Sequence, residues 1–141
     1  MRVLRRARTG LVLALLALAP VAFAADKAED AAQKAAESWL KQLDEGKYGE
    51  SWDAASALFK AAVTREQWVQ AGGAVRASVG KLVSRKLKSR EYTRSLPGAP
   101  EGQYVTVQYD ATFEKNPSAL ETFVATQDAD GSWRAAGYFL K

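Results

Sequence analysis

The sequence predicts an α+β domain, with about three N-terminal helices packed on a curved four-stranded antiparallel sheet in a cone-like roll. Three observations predict it. Apolar residues fall at helical spacing as far as Gly80, apolar and polar residues alternate after it, and clusters of turn formers cut the alternating half into four runs.

Ahead of the helices, Arg2, Arg5, Arg6 and Arg8 precede an apolar run from Leu11 to Ala19 and then Ala22-Phe23-Ala24, the layout of a secretory signal peptide. The run falls short of the roughly 20 apolar residues a membrane span requires. Residues 1–24 are therefore expected to be a leader cleaved after Ala24, and residues 25–141 a single soluble domain in the periplasm or outside the cell, with no membrane span. Arg5-Arg6 admits a twin-arginine leader, but Ala7, Arg8 and Thr9 follow where such a signal turns apolar, so ordinary unfolded export is expected.

The first helix is expected over residues 28–43, where Ala28, Ala32, Ala35, Trp39 and Leu43 share one face with Ala36 and Leu40 beside them. Gly46 is placed to end it, and residues 48–59, with Trp52, Ala55, Leu58 and Phe59, read as a second helix. Thr64 and Gln67 form a capping box that opens a third, with Trp68, Ala71, Val75 and Val79 inward, Gly72-Gly73 weakening its middle and Gly80 stopping it. The period then changes. Strands are expected over residues 82–95, 103–114, 120–127 and 132–140, separated by the turn-rich segment 96–102, by Asn116-Pro117 as a strand breaker, and by Asp128-Ala129-Asp130-Gly131.

Composition narrows function mainly by exclusion. The chain has 20 Lys and Arg against 16 Asp and Glu, but four of the bases lie in residues 1–24, where there is no acid. The remainder is balanced, so nucleic acid is not an expected partner. There is no cysteine, hence no disulfide and no lipid-anchored N-terminus. There is no histidine either, which removes the usual Zn or Cu ligand and the commonest general base near neutral pH. No cofactor and no metal are expected.

Trp39-Leu40, Leu43-Asp44, Gly46, Tyr48 and Ser51-Trp52 resemble an exported bacterial family known as domain of unknown function 4019. The likeness continues through Val83-Ser84-Arg85-Lys86-Leu87, Leu96-Pro97-Gly98 with Gly102-Gln103-Tyr104, and Gly131-Ser132-Trp133-Arg134 with Gly137-Tyr138. The resemblance implies a family but no catalytic residues. The element order is also similar to the cone-shaped nuclear transport factor 2-like and cystatin-like folds, whose members include isomerases, dehydratases, ligand binders and protein-binding modules.

Candidate sites each have a functional and a plain structural reading. Lys86, Lys88, Arg90 and Arg94 fall on one face of an ideal first strand with Tyr92, as a surface for anionic lipid, an acidic polymer or an envelope protein, or as edge charges that block strand-to-strand aggregation. Arg85 has the opposite parity, with Val83 and Leu87. It is a carboxylate receptor at the base of a cavity, one half of an ion pair with an acid such as Asp44 or Asp53, or an ordinary snorkelled side chain. Trp39 and Tyr109 either line a ligand pocket or fill the core.

The expected function is that of a non-catalytic binding or interaction module. The first alternative is a small-ligand carrier with its pocket between helix 1 and the sheet; the second is a metal-independent isomerase or hydrolase using a carboxylate and a tyrosine.

Overall fold

The computed structural model describes residues 19–141. Most of the expected leader lies outside the described residues. The elements are α1 (Ala19–Asp44), α2 (Tyr48–Asp53), α3 (Ala57–Ala62), α4 (Arg65–Val79), β1 (Leu82–Thr93), β2 (Tyr104–Phe113), β3 (Asn116–Gln127) and β4 (Trp133–Leu140). The sheet is an antiparallel meander in the order β1-β2-β3-β4, and α1 lies across all four strands on one face. The α+β class and the four-stranded sheet are as the sequence predicts.

The helical face expected from spacing is the buried one: Ala28, Ala32, Ala36, Trp39, Leu40 and Leu43 meet Val105, Val107, Phe123 and Ala125 of the sheet. The buried side chains of α1 are alanines at Ala28, Ala32 and Ala36 and larger residues at Trp39, Leu40 and Leu43. Gly46 adopts φ 72°, a left-handed conformation open to glycine, and the turn closes with Lys47 N–H donating to Gln42 O at 2.8 Å.

Residues 48–59 do not form one helix. Ser56 turns its backbone N–H to Ala135 O of β4 at 2.9 Å, and its Oγ accepts from Phe59 N, so the chain pairs with the sheet edge and restarts as α3. An N-cap at the break replaces the helical bonds lost there. The capping box at Thr64 and Gln67 forms as expected. The glycine pair, however, does not interrupt α4. A Cβ on Gly72 would sit 3.2 Å from the Trp68 ring and 3.3 Å from Tyr48, so this glycine admits a close approach of α2 to α4.

Asn116-Pro117 does not break the third strand, which begins at Asn116. Ala111 pairs with Ala119 and Phe113 with Asn116, leaving an extra residue on β3 at Pro117 and Ser118. A bulge has no ladder bond for proline to lose. β1 carries two further bulges, with Val83 and Lys88 as the extra residues, and β4 one at Ala136.

The bulge at Lys88 revises the expected basic face, because it reverses the side-chain parity of everything after it. Arg85 and Leu87 pair with Ala111 and Tyr109; beyond the bulge it is Arg90 and Tyr92 that pair with the buried Val107 and Val105. Arg90 therefore faces α1. Its guanidinium lies 2.6 Å from Asp30 and 3.0 Å from Gln33, with Glu29 3.6 Å away. Arg94 lies beyond the end of β1 and is exposed. Only Lys86 and Lys88 share the outer face, where Lys88 stands 3.9 Å from Asp110 in an open depression of about 500 Å³.

Candidate functional site

The densest polar chemistry lies under the C-terminal end of α1. Asp44 is the last residue of that helix, Arg76 sits in the last turn of α4, and Arg85, Glu121 and Tyr138 project from the inner faces of β1, β3 and β4. Arg85 reaches Glu121 across β2, because the residue opposite it is the small Ala111, and the guanidinium passes 5.9 Å from the centre of the Tyr109 ring.

The contacts run in a chain from Arg76 through Asp44, Arg85 and Glu121 to Tyr138. Arg85 donates from both terminal nitrogens to Asp44, each at 2.9 Å, and from Nε to Glu121 Oε1 at 2.5 Å. Arg76 Nη2 donates to Asp44 Oδ1 at 2.7 Å while its guanidinium lies 4.9 Å from the Phe113 ring centre. Tyr138 Oη donates to the other Glu121 oxygen at 2.5 Å. Two arginines thus face two carboxylates, and Glu121 is fully buried. A buried carboxylate persists in this setting because it is paired and hydrogen-bonded on both oxygens.

Ionisation follows from these contacts. Burial alone would raise Asp44, but its bonds to Arg85 and then Arg76 outweigh it and hold the carboxyl below its ordinary value. Burial pushes Tyr109 up to about 12, with the charge of Glu37 adding to it. Tyr138 is raised further by burial and by Glu121. Both phenols stay protonated at neutral pH.

The sequence-predicted residues separate accordingly. Arg85 is the centre of the cluster, and Asp44, named beforehand as one of its possible partners, is the acid that takes its fork. The arrangement leaves no guanidinium edge of Arg85 for a ligand carboxylate, so the receptor reading is replaced by the ion-pair reading. Tyr109 lies beside it with its hydroxyl buried and without a hydrogen-bond partner among the described residues. Trp39 is a core residue: it is 3% exposed, its Nε1 donates to Ser51 O at 2.8 Å, and it stacks on Trp68 at 5.6 Å. One edge of Trp39 also meets an open cleft of about 310 Å³ between α1 and β4, shared with Ala35, Gln42 and Trp133.

Glu121 and Arg76 were missed from sequence. Glu121 had a visible signal, since it shares the inward parity of Phe123 and Ala125, where an acid needs a cationic partner. Arg76 had a weaker one, as a base in the last turn of a helix is ordinarily explained by the helix dipole alone.

Among the described residues no group of three or more acids converges as a metal site would need, and no helix is long and apolar enough to cross a membrane. Fold and site together define a small helix-on-meander α+β domain whose concave face is closed by an aromatic core and a charge-balanced cluster. Residues 35–138 match the family described as Protein of unknown function (DUF4019), and the chain belongs to that family. No curated protein matches it.

Proposed function

We propose that this chain is an exported, non-catalytic binding or interaction module of the bacterial envelope, working through its open surface. The observation that carries the reading is the commitment of Arg85: its three donor groups go to Asp44 and Glu121, and Glu121 takes Tyr138 as well. These four groups, suited by type to acid–base work or anion capture, are bonded to one another, whereas Arg76 beside them keeps Nε and Nη1 buried without a partner among the described residues. Export is supported by the arginines and apolar run of residues 1–24.

A small-ligand carrier is the second reading, favoured by the cleft between α1 and β4. Gln42 lines it together with Trp39 and Trp133, and its Oε1 is buried without a hydrogen-bond partner among the described residues. If the Gln42 amide turned that oxygen toward the cleft, a polar ligand with an N–H or O–H group would satisfy it.

Native mass spectrometry of the mature protein, purified from the periplasm of its source under gentle conditions, separates the two. A retained macromolecular partner supports the interaction module. A defined small adduct lost on Gln42→Leu supports the carrier instead. Turnover of a substrate class that is abolished by Tyr138→Phe in a folded protein would overturn both.

A further inference from the structure

The two edges of the sheet are treated differently. β1 carries Lys86 and Lys88 and two bulges, the usual devices that keep an edge from pairing with another chain. β4 carries a single charged residue, Arg134, and both Asp128 and Asp130 hold it, at 2.9 Å and 2.7 Å. Its bulge at Ala136 comes before the regular stretch from Gly137 to Leu140.

The ladder shows which main-chain groups that stretch leaves over. Leu120 and Lys141 exchange both of their N–H···O bonds, at 3.0 and 3.1 Å, so Phe139 and Gly137 also turn toward β3 while Tyr138 and Leu140 turn away. Ala135 O, on the same edge, takes Ser56 N–H. The N–H and C=O of Tyr138 and Leu140 have no main-chain partner beyond the sheet among the described residues. Between them stands Phe139, 59% exposed on the outer face, beside an open apolar groove of about 290 Å³ lined by Leu58, Leu96, Pro97, Val124 and Gly137.

We propose that β4 pairs antiparallel with β4 of a second copy, in a register centred on Phe139. That register sets Tyr138 of one copy opposite Leu140 of the other, and the reverse, so all four edge groups of each strand gain partners. It also places the two Phe139 side chains in a directly opposed, non-hydrogen-bonded pair, the position where cross-strand side chains are closest. The arrangement is self-complementary, as a two-fold interface requires. Two four-stranded sheets become one of eight strands, and the two apolar grooves meet at the axis.

The test is a concentration series of residues 25–141 by light scattering after size exclusion, with variants at Phe139. The expected result is a monomer–dimer equilibrium in which Phe139→Lys raises the dissociation constant about tenfold or more, by losing an aromatic pair and opposing like charges, with the thermal midpoint measured in the monomer unchanged. Phe139→Cys, in a chain without other cysteines, is expected to form a disulfide dimer under mild oxidation, since opposed strand positions of this type meet disulfide geometry. Thr106→Cys, on the outer face but inside the sheet, is expected to stay monomeric. A protein that remains monomeric to about 100 μM, well above ordinary dimer affinities, would overturn the proposal. So would a dimer that survives Phe139→Lys and fails to cross-link through Phe139→Cys.

Discussion

Arg85 shows how a residue can be picked out by parity and still be assigned by its partners. Its inward direction follows from its place opposite the buried Ala111, and not from alternation with Val83, which is an exposed bulge residue; whether it waits for a ligand or holds an acid depends on Glu121, some 36 residues away in sequence. Removing its side chain would leave Glu121 buried without a cation and Asp44 with Arg76 alone. Arg85→Ala is therefore expected to cost about 3–5 kcal/mol in urea unfolding, as breaking a buried pair ordinarily does. A loss under about 1 kcal/mol would mean that solvent reaches the cluster and that the pairing is a surface contact.

The same cluster fixes the pH range of stability. Asp44 is held below its ordinary value of 3.8 in the folded state, so its contribution is present above pH 3.8 and disappears as pH falls through the folded value. Tyr109 is raised from 10.0 to about 12, so its contribution is present below pH 10 and disappears as pH climbs toward 12; Tyr138 acts in the same direction. Urea midpoints are expected to be level between these limits and to drop on either side. A midpoint that increased above pH 10 would contradict the burial of the two phenols.

At the level of elements, the sequence was most legible where a single period runs unbroken. The buried stripe of α1, the capping box of α4 and the alternation of β2 are local patterns, and each appears where its spacing puts it. Bulges are not local patterns. Nothing in Leu87-Lys88-Ser89 marks Lys88 as the extra residue; it becomes one because Arg90 has Asp30 and Gln33 to reach on α1, and Tyr92 has Val105 to cover. The expected basic row therefore splits, with Lys86 outside and Arg90 inside. Arg90→Ala is expected to destabilise the protein by about 1 kcal/mol, since it ties the first half of α1 to β1 through partly shielded pairs, whereas Lys86→Ala is expected to fall within about 0.5 kcal/mol of wild type. Equal effects in thermal or urea unfolding would mean that parity does not change at Lys88. The split of residues 48–59 has the same origin, because the edge carbonyl of Ala135 draws the backbone of Ser56 out of helical bonding.

For the molecule as a whole, α1 fills one face of the sheet, and the proposed binding module would work through the remaining surface. The charge balance visible in the sequence persists as pairing: arginines of β1 meet acids of α1 and β3, and so bind the two layers together. In this account the cluster at Arg85 is a strut between layers, and the sites of interaction lie elsewhere. Replacing its central pair by apolar residues of similar size should then spare both fold and binding, as buried ion pairs elsewhere tolerate such exchange. The most direct measurement is native mass spectrometry of the protein purified gently from its source, wild type beside the double variant Arg85→Met and Glu121→Leu, with circular dichroism on both. The expected result is that the folded double variant retains the same adduct or partner as the wild type. A folded double variant that has lost what the wild type carries would contradict the strut and make the Arg85 cluster the binding site.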